Sequence, residues 1–303
     1  MKDFFIDKYN PNGKGPFIFA SRLKDELERQ GNKFNDKAKN RLSIITGGYV
    51  EGANNILRLD GLYLDSKNTK GRSRALNKRI FKSYKRLDHI VFQSEFSQKC
   101  YEAFTGVERP NSIIPNGVPD SFFAKCKAID KPEGFEKVVI ASSKWRRHKR
   151  IEEAIEAFKS PKLKDVALVI LGGYKNIDAK NIISLPRVKP RKLPQYYQMA
   201  DAMIHLSWLD WCPNSVVEGL ASGLPVLCSH NGGTRELVKD DGIVIQIEED
   251  YEVGKQVPLY TPPKVDLDII IEGVLKLVEM PKIKTREDLK IFNTALSYNK
   301  LFI

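Results

Sequence analysis

Cysteine is scarce in this sequence. The four present stand at 100, 126, 212 and 228, no two in Cys-x-x-Cys spacing and none beside a histidine cluster. That argues against a zinc site or a disulfide framework and reads them as buried thiols. Long apolar runs are missing too: none approaches the roughly 20 residues of a membrane span. The start, Met1 to Ile6, has one basic residue and no long apolar stretch. It does not read as a secretory signal, and the expected compartment is the cytoplasm. Short-period repeats and low-complexity segments are also absent.

Acid is in short supply. Against 50 Lys and Arg stand 38 Asp and Glu, a net charge of +12 that calls for an anionic partner or a basic surface. The excess is concentrated between Asp65 and Asp88, where Lys67, Lys70, Arg72, Arg74, Lys78, Arg79, Lys82, Lys85 and Arg86 occur without one carboxylate. With 303 residues, 42 % of them hydrophobic, the chain is long and apolar enough for two domains with cores of their own.

Strand-like and helix-like segments alternate, the pattern of an α/β fold with parallel sheets. A short strand at Phe4–Ile6 leads into the Gly-rich turn Pro11–Pro16 and a helix stopped by Gly31. A strand at Leu42–Thr46 ends on Gly47-Gly48. An amphipathic helix is expected over 72–87, with Leu76, Ile80, Tyr84 and Leu87 near one face. The segment 124–134 has charges, Pro132 and Gly134 but no period, and reads as a linker. Beyond it the alternation restarts, with strands at Val138–Ala141, Ala167–Leu171, Ala202–Leu206 and Pro225–Cys228. Two helices close the chain. Open α/β sheets bind ligands past the carboxyl ends of their strands, so the turns after Ala141, Leu171, Leu206 and Cys228 are the places to look for chemistry.

The turn after Leu206 puts Asp210 in a loop and Glu218 near the start of the next helix. Two ionised carboxylates there suit several sugar hydroxyls, and the helix start offers N–H donors to phosphate or a sugar oxygen. Ser215 and Glu218 also have the spacing of a capping box, which gives Glu218 a purely structural alternative. The turn after Ala141 has Ser143, Lys144, Arg146, Arg147, His148, Lys149 and Arg150. It reads either as fixed cations for an anionic leaving group or as a solvated basic loop.

Asp210, seven residues, Glu218, then Gly223-Leu224-Pro225-Val226 and Asn231-Gly232-Gly233-Thr234-Arg235-Glu236, resembles the signature of the retaining glycosyltransferases of family 4, which have the GT-B fold. Asp210 stands where the family has Glu. Lys144 and Lys149 fall on the family's diphosphate-binding Arg and Lys, with Ser143 and Arg150 in place of glycines. The run Leu185–Pro190 with Val188, followed by Leu193–Ala202, resembles the family's nucleobase segment. Gly13-Lys14-Gly15-Pro16 resembles its N-terminal glycine loop, and Arg58-Leu59-Asp60-Gly61 a sequence some members have near the cleft. Asp60 reads equally as a structural turn acid.

The resemblance implies two Rossmann-like domains facing a cleft. An N-terminal acceptor domain over 1–132 is shorter than usual for the family, and a donor domain spans 133–284. A terminal helix at about 285–303 is expected to pack back on the first domain. It implies transfer from a nucleotide-diphosphate sugar, a co-substrate rather than a cofactor, with retention and without a metal. Glu218 is assigned to the nucleotide ribose, Asp210 to donor-sugar hydroxyls, and Lys144 and Lys149 to the departing diphosphate. Ser143, Val188, Asn214, Ser215 and Val216 are assigned to the donor, and Gly13, Gly15, Arg58 and Asp60 to phosphate or acceptor. The expected acceptor is a glycan or lipid-linked hydroxyl, and the basic helix suggests peripheral contact with an anionic inner membrane face. Two alternatives stand beside this reading. One is an α/β protein binding nucleic acid or another polyanion through the basic stretch, although no aromatic interleaving points to specific nucleic acid. The other is a sugar-nucleotide epimerase of the same fold.

Overall fold

The computed structural model describes residues 1–10, 15–65, 71–127, 129–175 and 177–303. The chain divides into two compact units, the first made of Met1–Pro119, Glu252–Pro258 and Glu287–Ile303, the second of Asp120–Tyr251 and Leu259–Arg286. Each holds one six-stranded sheet whose neighbouring strands are all parallel.

In the first unit the strands are β1 (Asp3–Asp7), β2 (Lys33–Phe34), β3 (Asn40–Ile44), β4 (Asn54–Arg58), β5 (His89–Phe92) and β6 (Asn111–Ile113). Their order is β2-β1-β3-β4-β5-β6, so the winding reverses between β1 and β3. Helices α1 (Pro16–Arg29), α2 (Arg72–Arg86) and α3 (Glu95–Thr105) join them. Helix α2 buries Ser73, Asn77, Ile80, Ser83 and Tyr84, a spacing of three and four residues that puts them on one side. Its Lys and Arg side chains are left exposed.

The closing helix, Ile291–Leu301, belongs to this unit. Tyr298 and Phe302 lie in one core with Phe4, Phe19 and Leu42, and the Phe302 ring stacks on Phe4 at 5.9 Å. Polar ties reinforce it: Lys2 Nζ donates to the Phe302 carbonyl at 2.5 Å and the Ile303 N–H to Asn40 Oδ1 at 2.9 Å.

The second unit has β7 (Lys137–Ser142), β8 (Val166–Leu171), β9 (Ile182–Leu185), β10 (Ala202–His205), β11 (Val226–Ser229) and β12 (Gly242–Ile245) in the order β12-β11-β10-β7-β8-β9. This is the doubly wound dinucleotide-type order, and it reverses between β7 and β10. Every residue of β8, Val-Ala-Leu-Val-Ile-Leu, is buried, as a parallel strand covered on both faces requires. Helices α4 (Ile151–Phe158), α5 (Leu193–Met199), α6 (Asn214–Ala221), α7 (Thr234–Val238) and α8 (Leu267–Val278) complete it.

The division between the units falls at Pro119/Asp120 rather than at 132/133, because residues 120–126 are packed into the second unit. Phe122 lies 6.1 Å from the Tyr197 ring, and Gln198 brackets the segment by accepting from the Cys126 N–H at 3.0 Å and donating to the Ala124 carbonyl at 2.6 Å. Segment 252–258 also departs from the expected boundaries: it lies in the first unit, with the Val257 N–H on the Leu64 carbonyl at 3.2 Å.

All four cysteines are free, three of them buried and Cys126 half-buried. Burial pushes the Cys100 and Cys228 thiols up to about 12, so both are inert at neutral pH. Among the described residues no helix is long and apolar enough to cross a membrane.

Candidate functional site

The winding reverses between β7 and β10, the place where open parallel sheets take ligands, and two loops meet past the carboxyl ends of those strands. The loop after β7 runs from Ser143 to Arg150, and Trp145 anchors it by donating from Nε1 to the Leu171 carbonyl at 3.1 Å. The loop after β10 is tied to it by the Trp208 N–H, 2.8 Å from the His148 carbonyl.

Arg150 explains how the first loop turns into α4. It has φ 53°, the left-handed conformation that glycine adopts most easily, so the arginine takes the backbone shape for which the family resemblance led one to expect a glycine. Its side chain is fully buried and meets buried Glu248 at 2.5 Å, with a further bond to the Pro263 carbonyl at 3.2 Å. Asn231 Nδ2 donates to the other Glu248 oxygen at 2.9 Å. The residue just before it, Lys149, points the other way.

Lys149 Nζ meets Asp210 Oδ2 in a short ion pair, and His205 Nε2 lies 3.1 Å from the same oxygen. The Trp211 N–H donates to Asp210 Oδ1 at 2.9 Å. Burial opposes ionisation of Asp210, but Lys149 and His205 outweigh it and hold the carboxyl well below the usual carboxylate range. Burial lowers His205, and Lys149 lowers it further against the pull of Asp210. His205 is therefore neutral at pH 7, and its Nε2–H donates to the carboxylate. His148, buried next to Lys149, is brought down to about 3 by burial first and by the lysine second.

A third loop locks the backbone of Asp210. The Gly233 N–H donates to the Asp210 carbonyl at 2.7 Å, and Asp210 and Gly232 form an isolated parallel bridge. Gly232 has φ 99°, and a Cβ there would stand 2.8 Å from the Asp210 carbonyl oxygen. The Gly-Gly turn read from the sequence thus has a concrete purpose: only glycine lets this loop close on the aspartate.

Glu218 is buried on α6, and the Tyr197 hydroxyl donates to its Oε2 at 3.3 Å. The capping-box alternative is overturned. The helix begins at Asn214 with Pro213 as its N-cap and has no side-chain cap. The Val216 and Val217 N–H groups already bond the Pro213 carbonyl at 3.0 and 3.2 Å, so Ser215 lies inside the helix and cannot cap it. The same bond uses the Val216 N–H, and the Val216 side chain is fully buried, so of the three helix-start residues only Asn214 and Ser215 remain half-exposed.

Lys144 is exposed and Ser143 half-buried on the same loop, outside the Lys149–Asp210–His205 contacts. Val188 lines a pocket of about 320 Å³ just past β9, with Arg187, Lys189, Arg191, Lys192 and Tyr196.

In the first unit, Arg58 does not present itself to a ligand. It is 1 % exposed, lies 4.0 Å over the Phe19 ring, donates to Asn116 Oδ1 at 2.6 Å and forms a short pair with Asp60. Asp60 also accepts from Gln93 Nε2 at 2.9 Å, which favours the structural alternative for that acid. Gly15, φ 60°, starts α1 ahead of Pro16, while Gly13 lies outside the described residues. Sequence reasoning missed His205 and the Arg150–Glu248 pair. The signal for His205 was its place at the last position of an otherwise apolar strand.

Residues 125–256 match the family described as Glycosyl transferases group 1. No curated protein sequence matches the chain. Among solved structures, a sucrose-phosphate synthase from Thermosynechococcus elongatus is similar at 11 % identity and TM-score 0.70, over 99 % of this chain and 97 % of that one. WaaG, a glycosyltransferase involved in lipopolysaccharide biosynthesis, is similar at 13 % identity and TM-score 0.65, over 98 % of this chain and 95 % of its own. Anabaena HepE, solved in complex with UDP-glucose, is similar at 12 % identity and TM-score 0.63, over 99 % and 98 % of the two chains. At these identities the likeness is one of fold.

Proposed function

We propose, for a chain whose residues 125–256 match the family described as Glycosyl transferases group 1, that it moves a sugar with retention from a nucleotide-diphosphate sugar to a hydroxyl of a glycan or lipid-linked acceptor. The observation that carries this reading is the Lys149–Asp210–His205 cluster at the β7/β10 reversal of the second unit. In the reaction a C–O bond forms between the acceptor oxygen and the anomeric carbon. The bond from that carbon to the diphosphate oxygen breaks, its electron pair leaves with the nucleoside diphosphate, and the acceptor proton goes to the departing phosphate.

The chemistry of the cluster fits that demand. An ionised carboxylate has about four acceptor positions, and three at Asp210 are used by Lys149, His205 and the Trp211 N–H. The remaining one suits a donor-sugar hydroxyl. An ammonium has three N–H donors, so Lys149 can keep Asp210 and still reach a phosphate oxygen. Charge grows on the leaving diphosphate in the transition state, and a fixed cation is most effective there. Glu218, held by Tyr197, is assigned to the ribose hydroxyls, and the pocket at Val188 to the base. Transfer needs no metal in this reading. The UDP-glucose in the HepE structure makes uridine sugars the first donors to try.

A panel of nucleotide-diphosphate sugars, followed by calorimetry and by slow donor hydrolysis, tests the assignment. Glu218→Gln should weaken nucleotide binding about tenfold, the scale of one hydrogen bond to a charged group, with the fold kept and hydrolysis unaffected by EDTA. Wild-type affinity and turnover in that variant would remove Glu218 from the site. A panel in which no nucleotide sugar binds would sink the whole reading.

A further inference from the structure

The winding of the first unit also reverses, between β1 and β3, and a pocket of about 310 Å³ opens past the ends of those two strands. Lys8 follows β1, and Gly47 and Gly48 follow β3. Arg79, Lys82 and Arg86 come from α2 at spacings of three and four residues, which puts them on one face. Among the described residues, no carboxylate lines the pocket.

The glycine loop is built into place. Ile45 has φ 67°, an uncommon conformation for a β-branched residue, and this bend turns the chain back over β3. Gly47 then lies so close to the strand that a Cβ would stand 1.8 Å from Ser43 Oγ. Ser83 of α2 holds both sides of the same glycine: its hydroxyl accepts from the Gly47 N–H at 3.1 Å and donates to the Gly47 carbonyl at 3.0 Å. Gly48, next to it, faces open space. The nearby acid, Asp7, is already engaged by Arg41 at 2.6 Å and Ser43 at 2.8 Å, so it does not neutralise the pocket.

We propose that this pocket binds a phosphate group of the acceptor, between Lys8, the Gly47–Gly48 loop and the Arg79, Lys82 and Arg86 side chains of α2. Two independent observations meet here. Open parallel sheets take ligands at the winding reversal, and four cations converge there around a small-residue loop, the composition that suits a tetrahedral dianion. The word acceptor rests on the transfer reading above; the phosphate site does not. The phosphate belongs either to a soluble phosphorylated glycan or to the headgroup of a lipid-linked one.

The test uses the full chain, isotopically labelled, with the amide resonances of Gly47 and Gly48 followed by NMR. Inorganic phosphate, added in the presence of UDP, should move both resonances saturably, and chloride at equal ionic strength should not. Arg79→Glu with Lys82→Glu should weaken this binding at least tenfold, while Lys82→Arg keeps it within a few-fold. UDP should move the amides of residues 143–150 instead, so failure of the donor reading and failure of the phosphate site are seen separately. Vesicles containing phosphatidic acid, compared with phosphatidylcholine alone, distinguish the two sources: a lipid-borne phosphate adds tight co-sedimentation that the double variant loses, and a soluble one does not. The proposal is overturned if phosphate moves neither glycine, if chloride does so equally, if the double variant responds like wild type, or if only vesicles and never phosphate perturb the loop.

Discussion

The two winding reversals of this protein occupy equivalent places in two parallel sheets and are furnished in opposite ways. At β7/β10 the cation is paired: Lys149 is half-buried against an ionised Asp210. At β1/β3 the cations are exposed and, among the described residues, no acid lines their pocket. Topology thus decides where a ligand site can form, while the side chains decide its chemistry. A paired, desolvated charge is preorganised for a defined step, because little has to move when new charge develops. An open group of cations attracts anions over a distance and is weakened by salt.

The contrast can be broken first at its foundation. Arg150 and Glu248 are a fully buried pair that holds the bend next to Lys149. Arg150→Ala should destabilise the protein by about 3–5 kcal/mol, since it leaves a buried carboxylate without its partner. Denaturant unfolding checks this. A change near zero would mean that the paired site does not depend on that buried support.

Next comes the cation itself. Lys149→Ala should lower kcat by roughly 10²–10³, the scale for losing one fixed donor to transition-state charge, with a much smaller change in donor affinity. Single-turnover and steady-state kinetics with the donor found in the panel would measure it. A raised KM with unchanged kcat would show uniform binding and would make the β7/β10 site resemble the other one.

The smallest effect at neutral pH concerns His148. Its folded-state value, about 3, lies below the unfolded value of about 6.5. The unfolded chain therefore binds the extra proton between those limits, and stability falls as pH drops from 6.5 toward 3. At pH 5 the loss from this group is about 2 kcal/mol. His148→Asn should flatten the profile in part, because His205 is shifted in the same direction. An unchanged profile in urea melts at pH 5 and pH 7 would mean that His148 is not shielded as its burial implies.

Much of this was legible in the sequence because parallel strands announce themselves as apolar runs. Val138–Ala141, Ala167–Leu171 and Ala202–Leu206 read directly as β7, β8 and β10. Strand β12 did not, since it opens on Gly242, and the reason for that glycine is visible only in space: a Cβ there would stand 2.0 Å from the Val226 carbonyl oxygen. The spacing of Asp210 and Glu218 was readable as a motif. That Lys149 meets Asp210 across 61 positions was not, for it depends on how two loops close. The basic stretch was plain as charge, but nothing in composition separates a solvated helix face from one wall of a pocket. The other wall comes from Lys8 and the residues after β3.

The closing helix has a consequence for how the protein is made. Phe4 belongs to the same core as Tyr298 and Phe302, so a segment made early waits for one made almost 300 residues later. At 5–20 residues per second that delay is roughly 15–60 s. Every residue of the second unit, ending at Arg286, has been synthesised before the final piece of the first arrives. The half of the molecule translated first is therefore the half that finishes folding last, and during synthesis its unfilled apolar face is the surface a chaperone would meet.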